Sequence, residues 1–291
     1  MKVAVIGVGA MGVHMAGHLK DKGHEVFAHD LDEAKMAAAA ERGAKPVKTL
    51  KELAALAEMF ILMVATDQQS ADVTHGLTEV LKAKEPGSTL IAIGATNHPA
   101  AMQDLAKHCA GHGVRFVDSP VVYGMHGAAT GTLLSLCGGS EADFAFAKPA
   151  LMAYSRDALH VGPVGAGQLA KACNNLLHWV HAVSNYECLL LAKRYGVDAQ
   201  RMREVLIQAP ARNGTLERWD NTKYTWQEKD MDVVMDLAQQ AGLVLPLSGQ
   251  VDQLVKLFSA KDVAELLHGP EASYLGRSFG PLAPEQGGLG D

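Results

Sequence analysis

The sequence predicts an α/β protein in which a doubly wound parallel sheet is followed by an all-α C-terminal domain. Up to about residue 160, short β-branched runs alternate with alanine-rich helical stretches, which indicates a parallel sheet covered by helices on both faces. A glycine-rich segment follows the first of these runs, and beyond Gly165 the strand signal fades. The length of 291 residues suits two domains, which we predict to span 1–163 and 164–291.

The apolar runs of the first domain define its predicted strands. They are VAVIG (3–7), EVFAH (25–29), MFILMV (59–64), TLIAIG (89–94), VRFVD (114–118), TLLSLCGG (132–139) and DALHVG (157–162). Helical patterns such as HMAGHLKDKG and EAKMAAAAERG lie between them. Because the runs are short and mainly apolar, we expect strands in a parallel sheet that is covered on both faces.

The second domain is predicted to be helical. A long helix begins at Ala166 and is ended by Gly196. Further helices are expected at about 198–209, 229–241 and 248–268. From about residue 269 the chain is rich in glycine and proline, which predicts an irregular tail.

Composition limits the classes of partner and the location. The formal net charge is −6 and no run of like charges occurs, so nucleic acid is not an expected partner. The longest apolar stretch, LAALAEMFILMVA, is broken by Glu58 and is too short to cross a membrane. The four cysteines show no CxxC spacing, and MKVAVIG runs from the first residue into a strand-like stretch. These features predict a cytoplasmic protein with no signal peptide and no membrane partner.

The segment GVGAMG follows the first predicted strand and opens the first helix. Gly7 permits a tight turn, Gly9 lets the backbone approach a pyrophosphate, and Gly12 lets the helix pack closely on the strand. The helix N-terminus adds a partial positive charge. In this context the motif predicts a Rossmann-type dinucleotide-binding domain. The predicted cofactor contacts in the motif are Gly7, Gly9, Ala10, Met11 and Gly12.

A carboxylate follows the second predicted strand, which ends at His29 and Asp30. In a dinucleotide-binding sheet, a carboxylate there accepts hydrogen bonds from the adenosine ribose and disfavours a 2′-phosphate. Leu31 and Asp32 come next, and no arginine stands beside Asp30. We therefore predict that Asp30 binds the ribose and that the cofactor is NAD. The alternative for Asp30 is a helix N-cap or a turn residue.

Six polar residues fall on one side of the long predicted helix, within an arc of about 120° at roughly 100° per residue. They are Lys171, Asn174, Asn175, His178, His181 and Asn185. A polar stripe on an apolar helix is usually a solvated face. Solvated faces favour strong helix formers, whereas asparagine and histidine are weaker ones. The composition therefore indicates a cleft that needs directional hydrogen bonds.

The lysine of this stripe suits the chemistry of a nicotinamide enzyme that oxidises an alcohol. Such an enzyme needs a group to accept the hydroxyl proton while hydride leaves the carbon. A lysine can do this when burial or neighbouring charges lower its pKa. Lys171 is therefore the predicted proton-transfer group, and the asparagines are predicted to hold the substrate and the amine.

Four segments together resemble the β-hydroxyacid dehydrogenase family, which includes 3-hydroxyisobutyrate dehydrogenase and tartronate semialdehyde reductase. They are GVGAMG (7–12), DSPVVYGMHGAATGTL (118–133), GAGQLAKACNN (165–175) and KDMDVVMDLA (229–238). The resemblance runs from Val3 to about Phe258. It implies that Lys171 is catalytic, that Asn175 binds substrate, and that Lys229 reaches over the cofactor.

The same resemblance implies further contacts and an assembly. Thr96, in the segment ATNHP, matches a residue beside the nicotinamide, and Val64 and Ala65 match contacts on the adenosine side. The implied reaction is reversible hydride transfer between a small alcohol and its carbonyl compound. The helical domain is expected to complete the substrate site and to form a homodimer or homotetramer.

The segment that grips the substrate carboxylate departs from the family pattern. The family typically has PVSGG, whereas this chain has PVVYG, so that Val122 replaces the serine and Tyr123 precedes Gly124. Val122 cannot donate a hydrogen bond, and a buried carboxylate without partners is costly. We expect Val122, Tyr123 and Gly124 to contact either a 3-hydroxy acid or a bulkier, less acidic or aromatic alcohol.

Several residues keep two interpretations. His178 stands one turn beyond Asn175, where the family commonly has an apolar residue; it is either a second donor or base or a histidine with a structural partner. Trp219, Tyr224 and Trp226 either line the cleft rim or pack in the domain core.

Two other functions stay open, and a metal site is not expected. The chain could be an NAD-binding scaffold without catalysis or an imine-reductase-like enzyme, since imine reductases resemble it in fold. Silent relatives would be expected to lose the lysine, and imine reductases typically lack it, so Lys171 favours the dehydrogenase. His14 and His18 have the spacing of a metal pair, but no third ligand is evident.

Overall fold

A computed structural model describes residues 1–221 and 224–289. The chain divides into two compact units, Met1–Lys171 and Ala172–Asp291. The predicted boundary after residue 163 stays a prediction, and residues 222, 223, 290 and 291 of the predicted second domain lie outside the described residues.

The first unit contains a large sheet and helices that follow its strands. The strands are β1 Lys2–Ile6, β2 Glu25–His29, β3 Lys45–Pro46, β4 Met59–Leu62, β5 Leu90–Ile93, β6 Arg115–Asp118, β7 Val121–Val122, β8 Leu133–Gly138 and β9 Ser155–Gly162. The helices are α1 Gly12–Asp21, α2 Glu33–Glu41, α3 Leu50–Leu56, α4 Asp67–Leu81, α5 Pro99–Gly111, α6 Gly124–Thr130 and α7 Glu141–Tyr154.

The strand order is β3-β2-β1-β4-β5-β6-β8-β7, with β9 paired to β8. From β3 to β6 all pairs are parallel, so the carboxyl ends of these strands share one edge. This 3-2-1-4-5-6 order is that of a dinucleotide-binding doubly wound sheet. The predicted fold class is confirmed.

Alternation along the strands builds a core on each face of the sheet. Val3 and Val5 of β1 belong to the core that includes residues of α1 and α7. Ala4 and Ile6 of the same strand belong to the core that includes residues of α3, α4 and α5. Because successive side chains of a strand point to opposite faces, a continuously apolar strand buries both faces.

The last strands differ from the wholly parallel sheet that the sequence predicts. β8 runs antiparallel to β6 and β7, and β9 runs parallel to β8. Only residues 123–132 connect β7 to β8, and a parallel crossover needs a dozen or more residues. The short connection therefore reverses the chain direction.

The second unit is mainly helical. Its elements are α8 Ala166–Arg194, which begins in the first unit, α9 Ala199–Gln208, α10 Gly214–Glu217, α11 Gln227–Gln240, α12 Pro246–Val255, α13 Ala260–His268, β10 Ala272–Tyr274, β11 Arg277–Phe279, and 3₁₀ helices at Trp219–Asn221 and Pro284–Gln286. Its core includes Trp179, Tyr186 and Trp219. None of the helices in the described part of the chain is long and apolar enough to span a bilayer.

Two predictions for this unit are wrong. The single helix expected at 248–268 is broken into α12 and α13, because Ser259 and Asp262 form a capping box that starts a new helix. The tail from residue 269 is not wholly irregular, because β10 and β11 form an antiparallel hairpin. Its two-residue turn, Leu275–Gly276, has both φ angles positive, 51° and 75°, which suits the twist of paired strands.

Candidate active site

The glycine loop lies between β1 and α1. Gly7 has a φ of +86°, and a Cβ there would lie 2.6 Å from the Met63 carbonyl oxygen. A Cβ on Gly12 would lie 2.1 Å from the Gly7 carbonyl oxygen, whereas a Cβ on Gly9 would meet nothing within 4 Å. Gly7 and Gly12 therefore permit close packing of the backbone. Gly9 leaves open space beside the N-terminus of α1, which has no side-chain cap. This arrangement fits a pyrophosphate group.

Asp30 follows β2 and is bound to the glycine loop. Its Oδ2 accepts a hydrogen bond from the Val8 N–H at 3.1 Å, and its Oδ1 accepts one from the Asp32 N–H at 3.1 Å. The N-cap of α2 is Asp32, so the capping interpretation of Asp30 does not apply. The Lys35 Nζ lies 3.7 Å from Asp30 Oδ1, which brings a cation to this carboxylate that sequence adjacency did not reveal.

The other predicted cofactor residues of this unit follow neighbouring strands. Val64 and Ala65 follow the end of β4 at Leu62 after one intervening residue, and Ala65 donates its N–H to Gln69 Oε1 at 2.9 Å. Thr96 comes after β5 and is half-buried. The sheet therefore brings these residues to the same edge as the glycine loop and Asp30, where ligands of such sheets bind.

A buried carboxylate that sequence reasoning missed fixes the start of α8. Asp118, at the end of β6, accepts hydrogen bonds from the N–H groups of Gly165 and Gln168 at 2.7 and 2.8 Å. Burial raises the pKa of the Asp118 carboxyl, and these N–H groups oppose the shift. A Cβ on Gly167 would lie 2.8 Å from Asp118 Oδ2. Gly165 and Gly167 were the signal in the sequence that could have revealed this contact, since glycines indicate that another part of the chain approaches the backbone closely.

Gln168 in turn clamps the segment that carries Thr96. Its Nε2 donates to the Ala95 carbonyl oxygen at 2.8 Å, and its Oε1 accepts from the Asn97 N–H at 2.9 Å. Asn97 is held from the other side by Asp67, whose Oδ1 accepts from Asn97 Nδ2 at 2.6 Å. The first turn of α8 and the residues flanking Thr96 are thus joined by hydrogen bonds.

Lys171 lies on α8 three residues beyond Gln168 and is half-buried. Residues three apart are neighbours on a helix surface. Asn175, one turn further, is only 7% exposed, and its Oδ1 accepts from Asn174 Nδ2 at 3.2 Å. That hydrogen bond orients the amide of Asn175.

The far end of the polar stripe has structural partners in the second unit. Asn185 and Asn213 exchange two side-chain hydrogen bonds, at 3.2 and 3.0 Å, and Asn213 also caps α10. His178 Nδ1 lies 2.9 Å from Thr215 Oγ1. Asn175 and Asn185 are buried but Asn174 is exposed, so the stripe is only partly a solvated face. His178 has the structural partner that one interpretation expects.

The three aromatic residues differ in environment. Trp219 is buried in the core, and its Nε1 donates to the Tyr224 hydroxyl at 3.0 Å. Trp226 is 64% exposed, and the Lys229 Nζ lies 6.0 Å from its ring centroid. Trp219 thus packs in the core, and Trp226 does not.

The segment predicted to grip the substrate surrounds the end of β7. Val122 is 7% exposed and pairs with Leu134 of β8. Tyr123 has a φ of 81° and Gly124 a φ of 55°. We call residues 122–124 the substrate loop; their contact with substrate stays a prediction.

In residues 1–221 and 224–289, no group of three or more His, Cys, Asp or Glu side chains is arranged so that it could hold a metal ion. The two histidines with metal-like spacing have other contacts: His14 Nδ1 lies 2.9 Å from Arg42 Nη2, and His18 Nε2 lies 3.0 Å from the Ala128 carbonyl oxygen.

The Gln168 clamp yields a first prediction. Gln168→Leu removes both hydrogen bonds and leaves the Ala95 carbonyl and the Asn97 N–H unsatisfied. We expect the free energy of unfolding to fall by about 1–3 kcal/mol. We also expect kcat/KM to fall by about 10- to 100-fold, because Lys171 and the segment that carries Thr96 would no longer be held in place. Urea unfolding and steady-state kinetics measure the two effects, with the exposed Gln103→Leu as control. Lost stability with unchanged kcat/KM would show that the clamp does not position reacting groups.

Comparisons with known proteins add two family matches. The family model described as the NAD binding domain of 6-phosphogluconate dehydrogenase matches residues 2–162. The family model described as NAD-binding of NADP-dependent 3-hydroxyisobutyrate dehydrogenase matches residues 165–268.

Individual proteins match over most of their length. The probable mitochondrial 3-hydroxyisobutyrate dehydrogenase of Dictyostelium discoideum is 30% identical over 294 residues, which cover 95% of this chain and 91% of that protein. The 2-(hydroxymethyl)glutarate dehydrogenase of Eubacterium barkeri is 30% identical over 266 residues, 87% and 88% of the two chains. The structure of Mycobacterium tuberculosis 3-hydroxyisobutyrate dehydrogenase with L-serine aligns with a TM-score of 0.81 at 27% identity, over 92% and 98% of the two chains.

Proposed function

Because the chain belongs to the β-hydroxyacid dehydrogenase family, we propose that it is an NAD-dependent dehydrogenase of hydroxy acids with Lys171 as its general acid/base. Family membership confirms the predicted class of enzyme, an oxidoreductase that uses a nicotinamide dinucleotide and acts on CH–OH groups. The substrate, the preference for NAD and the residue roles are the proposal.

In the proposed reaction the substrate alcohol loses a hydride from carbon and a proton from oxygen, and a C=O bond forms. NAD, held by the glycine loop and Asp30, would supply the hydride acceptor. Lys171 Nζ takes the hydroxyl proton and returns one in the reverse direction. Asn175 binds the substrate through its oriented amide, and the substrate loop contacts the carboxylate end.

The observation that carries this proposal is the clamp by Gln168. It ties the helix turn before Lys171 to both neighbours of Thr96, at the sheet edge where the dinucleotide is expected. Proton and hydride transfer must occur on the same carbon–oxygen unit, so the proton acceptor and the nicotinamide have to be held in a fixed relation.

The proposed substrate class is a 3-hydroxy acid. The relatives named above are dehydrogenases of 3-hydroxyisobutyrate and 2-(hydroxymethyl)glutarate, and L-serine, with which one of them was solved, is itself a 3-hydroxy acid. The second candidate is a bulkier, less acidic alcohol, which is favoured by Val122, since it offers no side-chain donor to a carboxylate.

The proposed preference for NAD rests on Asp30. Its carboxylate disfavours a 2′-phosphate, although Lys35 offsets part of its charge. Asp30, with Val64 and Ala65, is proposed to contact the adenosine half, and Gly7, Gly9, Ala10, Met11 and Gly12 the pyrophosphate. Thr96 and Lys229 are proposed to lie at the nicotinamide half.

We also propose a homodimer or homotetramer and a cytoplasmic location. Assembly is supported by exposed apolar side chains on α8, among them Leu177 and Leu191, which share one face of the helix. The location is supported by cysteines that are free in the described residues, as in a reducing compartment.

The experiment that tests the function follows NADH absorbance with 3-hydroxyisobutyrate, L-serine and benzyl alcohol, each with NAD and with NADP. We expect turnover of at least one hydroxy acid, and a kcat/KM with NADP lower by about tenfold or more, equivalent to roughly 1.4 kcal/mol of repulsion. Turnover confined to benzyl alcohol would favour the second candidate. Equal use of both cofactors would remove the role given to Asp30.

A further inference from the structure

Tyr123 has a backbone conformation that only glycine adopts readily. Its φ of 81° and ψ of 3° are left-handed, where the Cβ of an L-residue crowds the backbone. Such a conformation persists in a side-chain-bearing residue where surrounding contacts fix it, and it is often found at functional sites. Because Tyr123 lies in the substrate loop, the groups that contact its side chain bear on substrate recognition.

The side chain of Tyr123 contacts Arg156. The Arg156 Cζ lies 4.3 Å from the centroid of the Tyr123 ring, and its Nη2 donates a hydrogen bond to the Tyr123 hydroxyl at 2.5 Å. The guanidinium thus stacks on the ring and binds its polar tip at the same time. The two contacts order both side chains.

The sheet brings these two residues together although they are far apart in sequence. Val122 pairs with Leu134 of β8, which pairs with Asp157 of β9. Since neighbouring strands are about 4.8 Å apart, side chains from β7 and β9 have to cross about 10 Å to meet over β8. The register shifts at Leu133 and Leu134, so that Arg156 is the extra residue on β9. A bulge of this kind turns a side chain in a new direction.

Among the described residues, Arg156 has no acidic partner in an ion pair. Within residues 1–221 and 224–289, no carboxylate forms an ion pair with it, whereas the buried Arg203 pairs with Asp220 at 2.6 Å. Arg156 is exposed. Its contacts with Tyr123 occupy one face of the guanidinium, which stacks on the ring, and one nitrogen, Nη2, which donates the hydrogen bond. The other N–H donors of its planar fork match a carboxylate.

We propose that Arg156 binds a second carboxylate on the substrate, so that the enzyme prefers hydroxy dicarboxylates, and that Tyr123 positions Arg156 for this role. The inference rests on the proposed function, in which the substrate loop contacts the substrate. It also accounts for a bulky residue in a left-handed position of that loop: the tyrosine ring is the platform on which the arginine is held.

The test compares three substrates that share the same hydroxymethyl and carboxylate groups. These are 3-hydroxyisobutyrate, 2-(hydroxymethyl)pentanoate and 2-(hydroxymethyl)glutarate, and only the last has a second carboxylate on its side chain. We expect the wild-type kcat/KM to be highest for the glutarate by about tenfold or more, the range of one charge-assisted contact. Arg156→Gln should remove this preference through KM and leave the other two substrates within about twofold.

Two further variants separate positioning from general damage. Tyr123→Phe keeps the stacked ring and loses the hydrogen bond, so we expect kcat/KM for the glutarate to fall by less than it does in Arg156→Gln. The control is Arg277→Gln, which removes another exposed arginine stacked on an aromatic ring, with its Cζ 5.4 Å from the Phe279 centroid. It should leave all three substrates unchanged.

The outcomes distinguish this inference from the proposed function. Turnover with no preference for the glutarate, or an equal loss for all three substrates in Arg156→Gln, would overturn the inference and leave the dehydrogenase proposal standing. If no substrate is oxidised, the proposed function fails. Calorimetric titration of the NADH-loaded protein with 2-(hydroxymethyl)glutarate then decides the inference. Loss of binding in Arg156→Gln would support it. Unchanged binding in that variant, or no binding to the wild type, would overturn it.

Discussion

Replacing Lys171 by alanine is expected to lower kcat by about 10²- to 10⁴-fold, the usual contribution of a positioned general acid/base. The substrate hydroxyl would then have to lose its proton to water as the hydride leaves. NADH binding, measured by fluorescence, should stay unchanged, because the proposed cofactor contacts in the glycine loop and at Asp30 are left in place. The exposed Lys107→Ala, on α5, is the control.

Lys171→Arg separates proton transfer from charge. Arginine keeps the positive charge and the long side chain, but it does not give up its proton in a protein. If Lys171 transfers the proton, the arginine variant should be nearly as slow as the alanine variant. Substantial activity in Lys171→Arg would instead make Lys171 a binding residue for an anionic substrate.

The same pair of variants addresses the alternative functions. A wild-type protein that binds NADH but oxidises no hydroxy acid would support the scaffold. Reduction of a cyclic imine that persists in Lys171→Ala would support an imine-reductase-like enzyme. Loss of alcohol oxidation in both variants, with NADH still bound, supports the proposed mechanism.

Features that depend on near neighbours in sequence could be predicted. The strand expected at 25–29 is β2, with the same bounds, since an apolar run between turn residues specifies a strand locally. The glycine loop is equally local, because its turn and its helix start within a few residues of the strand end. The doubly wound order then follows from repeated alternation of strand and helix.

Features that depend on distant pairs could not be predicted. Asp118 and Gln168 are fifty residues apart in the chain, and Tyr123 and Arg156 meet only because β7, β8 and β9 are adjacent. Periodicity carries no information on such pairs. The direction of β8 was missed for a related reason, since an apolar run has the same pattern in parallel and antiparallel sheets.

The polar stripe on α8 shows an intermediate case. Its composition indicated a cleft rather than a solvated face, and Asn175 and Asn185 are buried, whereas Asn174 is exposed. Composition did not reveal how the members of the stripe differ. Asn185 is hydrogen-bonded to Asn213, whereas Lys171 comes three residues after Gln168, which is hydrogen-bonded to the segment that carries Thr96. A buried polar group needs partners, but whether these are protein groups or a ligand is decided by the tertiary structure.

The glycine loop yields the second large effect, and its second and third glycines, Gly9 and Gly12, are a matched pair. In Gly12→Ala the new Cβ would lie 2.1 Å from the Gly7 carbonyl oxygen, a backbone atom that cannot rotate away. We expect the free energy of unfolding without cofactor to fall by about 1–3 kcal/mol or more, with NADH binding lost as well, because α1 has to move away from β1.

Gly9→Ala makes the same chemical change where the structure has room. A Cβ on Gly9 meets nothing within 4 Å, so stability without cofactor should stay within about 0.5 kcal/mol of wild type. The methyl group would stand where the backbone is expected to meet the pyrophosphate, so the Kd for NADH should rise by about tenfold or more. Urea unfolding and fluorescence titration of both variants separate packing from binding. Unchanged NADH affinity in Gly9→Ala would mean that the cofactor does not approach the loop at Gly9, whatever Gly12→Ala does to the fold.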